Sequence, residues 1–385
     1  MTDQHQSSRH LLSVIHAAER TGPPLLALQF LRWLKEQRPS WQLSTLFLDA
    51  GGPLVEDFER LGPTVVNAPS PDSPDERHPW LAKGIRERQL QRTLVRLGHV
   101  DLAHVHCAGS MRAIPMIPRS PVLCHVHELS VGQDFHLGET ARRELPNADR
   151  YIAVSDAVRK ELLARFDIAP ELVERQWGFV DDAKLPNSDG HSPQSESVRE
   201  AVATTMVVIG SGVRHWRKAP ELFVRVALRA RELHPQIDWQ FQWIGGSDNS
   251  GLEQQVIDAG LDQIVRFIPH QAEPLRWVAA ADAFFLSARE DAFPLVVVEA
   301  AALARPVVSF ESGGAAELIR SADCGAVIPF PDVDAACNAL ADLASDKEYR
   351  NRLGAAGAEF ARKNLVLSVA GPALLASIDR AMEIR

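Results

Sequence analysis

The chain has 385 residues, 45% of them hydrophobic and 24% charged, which is ordinary for a soluble globular protein and enough for two domains. A formal net charge of -9 argues against nucleic acid as a partner, and no apolar run is long enough to span a bilayer. Four scattered cysteines, Cys107, Cys124, Cys324 and Cys337, form neither a disulfide framework nor a C-x-x-C zinc pair, and the polar start MTDQHQSSRH has no signal-peptide core, so a reducing cytoplasm is the expected location.

Residues 11–16 (LLSVIH) read as a buried strand, followed by a turn bearing Gly22 and an amphipathic helix, LLALQFLRWLKEQ, whose apolar residues recur near helical spacing. Gly22 lies where a missing side chain lets backbone approach a ligand. Residues 41–48 form a second strand and Val65-Val66 a short third. A proline- and serine-rich loop (69–74) precedes a basic helix over 85–97. Its Arg86, Arg88, Arg92 and Arg96 admit two readings, a solvated face or a peripheral contact with acidic lipid at the inner face of the membrane.

Two further strands, LAHVH (102–106) and VLCHVH (122–127), each carry a His-x-His pair. Strand alternation puts His104 with His106 on one face, and His125 with His127 on one face of the other strand. Four imidazoles could thus converge on a metal. No Asp or Glu spacing completes a familiar metal signature, however, and histidine at the carboxyl end of a parallel strand already lies where such folds bind ligands, so no metal is expected.

Residues 151–154 form a sixth strand, and Ser155 caps the helix after it. The polar stretch 187–197 (NSDGHSPQSES) reads as a linker, which divides the chain into domains 1–190 and 191–365 with a terminal helix over 366–385. The second half restarts with TMVVIGSG (205–212), after which Arg214, His215, Arg217 and Lys218 crowd ahead of a helix opened by Pro220. Cations there oppose the positive end of the helix dipole, and an anion would resolve the conflict. Strands over 239–246 and 264–270 follow, and strands alternating with helices at this spacing predict a doubly wound parallel sheet.

The segment 281–317, ADAFFLSAREDAFPLVVVEAAALARPVVSFESGGAAE, is a strand, a charged turn and a helix with Pro294 in its first turn, where the missing amide costs nothing. The amides of Leu295 and Val296 then point free of the helix end, which suits a phosphate. Glu299 lies a turn further in and leans back toward that end. An acid among valines and alanines is costly to bury unless something bonds it.

This segment resembles the carboxyl-terminal signature of the retaining glycosyltransferases of the GT4 family: an acid, Phe293-Pro294-Leu295 and Glu299, in a Glu-x7-Glu pattern. The alignment puts Asp291, not Glu290, in the first acidic position, so both are carried as candidates. Gly313-Gly314-Ala315-Ala316-Glu317 resembles the family's Gly-Gly-x-x-Glu loop. Thr21-Gly22 resembles a variant of its glycine pair, His127 its sugar-facing histidine, Val154-Ser155 its Val-Ser pair, and Arg217-Lys218 its Arg-Lys-Gly with Ala219 in place of glycine. The family's second arginine falls at Gly212, so Arg214 or Arg217 must substitute or the contact is lost.

The resemblance implies an α/β GT-B fold, two Rossmann-like doubly wound domains facing a cleft, with the terminal helix crossing back to the first. It implies a metal-independent hexosyltransferase-type enzyme that moves a sugar from a nucleoside diphosphate sugar to an acceptor hydroxyl with retention, with no other cofactor. Lys218, an arginine and the helix-end amides would hold the diphosphate, Glu299 the ribose, Glu290 or Asp291 the sugar hydroxyls, and His127 the sugar from the other domain. The alternatives are a catalytically silent sugar-nucleotide-binding regulator and a GT-B epimerase or phosphorylase.

Overall fold

The structure is a computed structural model that describes residues 8–67, 88, 90–185, 205–246, 251–271 and 273–384. The chain separates into two compact units, Met1–Trp177 with Leu367–Arg385, and Gly178–Val366. The expected linker at 187–197 lies outside the described residues, as does Arg86, and the division by contacts falls earlier, after Trp177.

The first unit is built on seven strands: β1 (His10–Ala17), β2 (Gln42–Ala50), β3 (Thr64–Val66), β4 (Leu102–His106), β5 (Val122–Val126), β6 (Arg150–Ala153) and β7 (Val173–Arg175). They pair in parallel in the order β3-β2-β1-β4-β5-β6-β7. Central strands of such a sheet are covered on both faces and so read as unbroken apolar runs; β4 and β5 are buried along their whole length. β7 is only three residues long, too short for a periodic signal, and the sequence reading did not include it.

The terminal helix Leu367–Met382 belongs to this unit although the chain reaches it last. Gly371 makes room for Trp33, since a Cβ there would meet the indole at 3.1 Å. Polar contacts fix the register: Arg380 pairs with Glu174 at 2.7 Å and Asp379 with Arg9 at 2.7 Å.

The second unit holds six parallel strands, β8 (Thr205–Ser211), β9 (Asp238–Ile244), β10 (Val265–Ile268), β11 (Ala283–Leu286), β12 (Val307–Phe310) and β13 (Gly325–Ile328), in the order β10-β9-β8-β11-β12-β13. Its core is aromatic. Phe223, from the helix Pro220–Leu233, stands edge-on to Phe241 and Trp243, with centroids at 5.5 and 5.3 Å, and stacks on Phe285. Each such buried ring stabilises the unit by roughly 1.5–3 kcal/mol through area removed from water. Gly210 leaves the space for them: a Cβ there would meet Phe223 at 2.8 Å.

Both sheets are therefore doubly wound Rossmann-like sheets. In each the order reverses beside the first strand, between β1 and β4 and between β8 and β11, and the carboxyl edge at such a reversal is where open α/β sheets bind ligands. Among the described residues no helix is long and apolar enough to cross a membrane.

Candidate functional site

In the second unit the loops leaving β8 and β11 meet at the reversal. The first turns at Gly212 (φ 141°), whose N–H donates to the Ile244 carbonyl at 2.9 Å and whose own carbonyl accepts from Trp243 Nε1 at 2.9 Å. Gly245, at the exit of β9, has φ 152°, and a Cβ on it would stand 1.9 Å from the Gly212 oxygen. Two loops thus close backbone on backbone, which only glycine permits.

Ala219, fully buried at the end of the lysine loop, sits in the left-handed region at φ 50° and precedes the helix Pro220–Leu233. This conformation explains why glycine suits the position that Ala219 fills. Ser287, the residue after β11, donates to the carbonyls of Lys218 and Ala219 at 3.1 and 3.0 Å. The Arg289 N–H donates to the Arg217 carbonyl at 2.9 Å, and its guanidinium donates to the Trp216 carbonyl at 2.7 Å and pairs with Glu221. Through these bonds the two loops hold each other.

Asp291 is pinned from the other side by the loop after β12. Its N–H donates to the Ser312 carbonyl at 2.7 Å, and its carbonyl accepts from the Gly314 N–H at 3.2 Å. The carboxylate, 6% exposed, accepts from Lys218 Nζ at 2.5 Å and lies 3.9 Å from Arg217 Nη1. For Glu290 the contact is through the main chain, its carbonyl accepting from Arg217 at 3.4 Å.

Pro294 stands one position earlier than expected. It is the cap of the helix Leu295–Ala302, with φ -73° and ψ 113°, rather than a member of the first turn. The first helical bond runs from the Val297 N–H to the Pro294 carbonyl at 3.0 Å, so the amides of Leu295 and Val296 precede it, as helix-end donors do. Phe293 is buried. Glu299, the fifth residue of the helix, is partly buried, and no described residue donates a hydrogen bond to its carboxyl. Burial pushes that carboxyl up to about 7, against the pull of Lys184.

Of the two arginine candidates, only Arg217 reaches the Asp291 carboxylate. Arg214 is buried elsewhere: its Nε donates to the Gly246 carbonyl at 3.2 Å, its Nη2 pairs with Glu253 at 2.8 Å, and its guanidinium covers the Phe267 ring at 4.6 Å. Those contacts occupy its Nε and Nη2 within the second unit. The sequence drew no notice to Ser287 and Ser312, and it marked Arg289 only as part of a charged turn and Gly245 only as part of a strand's exit turn. Ser287 had a signal, since it follows the last residue of a strand beside the reversal; Ser312 acts through its carbonyl, and the partners of the Arg289 guanidinium are set by tertiary contact.

Gly22 and His127 belong to the first unit. Gly22 opens the helix Gly22–Gln37 at the carboxyl end of β1, behind a Thr21 cap whose side chain makes no capping bond. His127 follows β5; its N–H donates to Glu128 Oε2 at 3.0 Å, its Nε2 is buried with no hydrogen-bond partner among the described residues, and burial with neighbouring imidazoles holds its pKa down to about 3. The exposed side chains of Arg88, Arg92 and Arg96 line one helix face beside Val95.

Comparison with known proteins agrees with this layout. A family described as "Glycosyl transferases group 1" matches residues 195–360, and "Glycosyltransferase Family 4" matches residues 41–184. The D-inositol 3-phosphate glycosyltransferase of Kribbella flavida is 27% identical over 290 residues, covering 69% of this chain and 68% of that protein. A GDP-mannose-dependent alpha-(1-6)-phosphatidylinositol monomannoside mannosyltransferase of Mycolicibacterium smegmatis is 28% identical over 252 residues, covering 62% of this chain and 64% of the relative. The crystal structure of Anabaena Alr3699/HepE in complex with UDP and glucose superposes with a TM-score of 0.77 at 19% identity, over 97% of this chain and all of that one.

Proposed function

The chain is a GT-B-fold protein related to the group 1 and family 4 glycosyl transferases, and from that footing we propose that it transfers a glycosyl unit from a nucleoside diphosphate sugar to an acceptor hydroxyl with retention of anomeric configuration. One observation carries the reading. At the reversal of the second sheet, a lysine held by a buried aspartate accompanies the open end of a short helix that carries, in its second turn, a glutamate with no hydrogen-bond donor among the described residues.

Each group then has a task. Lys218 has three ammonium hydrogens, so it can keep Asp291 and still donate to a diphosphate oxygen. Arg217 and the amides of Leu295 and Val296 supply further positive potential where charge develops on the leaving phosphate. Glu299 accepts from the ribose hydroxyls, which offsets the cost of its desolvation. Asp291, or Glu290 beside it, accepts from hydroxyls of the transferred sugar.

In the transfer, the bond from the anomeric carbon to the diphosphate oxygen breaks as the acceptor oxygen bonds to that carbon on the same face. The acceptor proton passes to the departing phosphate. The relatives named for D-inositol 3-phosphate and for phosphatidylinositol monomannoside favour a polyol acceptor, and the protein would work in the cytoplasm.

Thermal stabilisation measured across UDP- and GDP-sugars identifies the donor, because a ligand that binds only the folded state raises the melting temperature. Labelled donor with polyol acceptors then gives turnover, and the anomeric coupling of the product gives the stereochemistry. Binding without hydrolysis or transfer would make the protein a silent sensor. An inverted product would refute retention, and no stabilisation by any nucleotide sugar would remove the donor site altogether.

A further inference from the structure

In the first unit, β4 and β5 lie side by side in a register that sets His106 directly beside His125. His104 and His127 fall two residues away on the same face. The four rings form one array, with centroids 4.2 Å apart for His104 and His106, 5.6 Å for His104 and His125, 5.7 Å for His106 and His125, and 4.2 Å for His125 and His127. His104, His106 and His125 are all buried.

What sets them apart is their unmet bonding. Both ring nitrogens of His104 and of His125, Nδ1 of His106 and Nε2 of His127 are buried with no hydrogen-bond partner among the described residues. Ser13, which faces His104 in the β1–β4 register, has a buried hydroxyl in the same condition. Buried polar atoms are paired in native proteins almost without exception. This chain observes that rule at another buried histidine: the two ring nitrogens of His10 bond the His99 carbonyl and Ser44 Oγ, both at 2.8 Å.

We propose that His104, His106 and His125 bind a divalent transition metal of the zinc, cobalt or nickel type inside the first unit. One ligand atom from each already lies within 4.8 Å of the other two. Small ring rotations bring them to the roughly 3.3 Å separation that tetrahedral bonds of about 2.05 Å require. Imidazole is the ligand type such ions prefer, while magnesium and calcium need oxygen donors. The ion would tie β4 to β5 at the carboxyl edge of the sheet. This site lies wholly within one unit and stands whether or not the protein transfers sugar.

The test uses the full chain made without a histidine tag. After chelator treatment and dialysis, zinc is added back, and elemental analysis, thermal melting and X-ray absorption are measured. The expected result is about one zinc per chain, a raised melting temperature and a first shell of imidazole nitrogens at about 2.0–2.1 Å. His104→Gln and His125→Gln should each lose the metal, whereas His99→Gln, altered at an exposed histidine, should retain it. An untagged wild-type protein that takes up no zinc overturns the proposal, as do equal uptake by all variants and a first shell of oxygen or sulfur. If the core variants fail to fold, the wild-type absorption spectrum decides alone.

Discussion

Replacing Glu299 by glutamine separates the energetic cost of this side chain from its use. The carboxyl is raised from 4.5 to about 7 by desolvation, which corresponds to at most ~3.4 kcal/mol at 1.36 kcal/mol per pKa unit. Because the side chain is only partly buried, solvent screening reduces the expected effect to ~1–2 kcal/mol. The sign follows from linkage: below the unfolded value both states are protonated and nothing is lost, whereas ionisation above the folded value weakens the fold. Glu299→Gln should therefore match the wild type near pH 4.5 and exceed it at pH 8. For the unit Gly178–Val366, that difference is a melting temperature higher by about 2–8 °C. Calorimetry without ligand at several pH values measures it. In the same variant, loss of hydrogen bonds to a charged acceptor should weaken donor binding by ~10-fold or more. A stability gap that does not change with pH would refute the desolvated-acid argument, and unchanged donor affinity would remove Glu299 from the ribose site.

Other outcomes follow from the same geometry. Lys218→Ala should cost ~1.5–3 kcal/mol of donor binding, a weakening of roughly 10- to 150-fold by isothermal titration, through loss of a charge-assisted bond. Asp291→Asn should spare binding of the bare nucleoside diphosphate while slowing transfer at least ~10-fold; equal losses in both assays would mean that Asp291 serves only to hold Lys218. Arg217→Ala and Arg214→Ala should diverge, the first weakening donor binding and the second lowering the unfolding free energy from urea denaturation by ~1–2 kcal/mol with donor affinity nearly intact. Gly245→Ala puts a methyl against the Gly212 carbonyl and should destabilise the second unit by about 3 kcal/mol in urea; a neutral result would show that the two loops can part.

Much of the fold was legible because its signals are local. Apolar runs such as LLSVIH and AFFL, punctuated by glycine, proline and helix caps, are produced by burial of central parallel strands on both faces, and the strands formed there as β1 and β11. Lys218 and Glu299 stood out as candidates for the same reason, since an opposed dipole and a buried acid are conflicts visible within one turn of helix. Short β7 (VER) is largely charged and β13 (GAVI) opens on glycine and alanine, so neither shows the strong apolar run that marks β11, and both were missed.

By itself, then, the amino-acid sequence determined the alternation of strand and helix, the open helix end and the residue types gathered near it. Tertiary structure alone decided which groups meet. Lys218 and Asp291 are 73 residues apart, and sheet order joins them by making β8 and β11 neighbours. That Arg214 meets Glu253 and Phe267 while Arg217 approaches Asp291 is likewise a matter of tertiary contact. The convergence of three imidazoles required the β4–β5 register, because strand alternation assigns a face and only pairing assigns a neighbour.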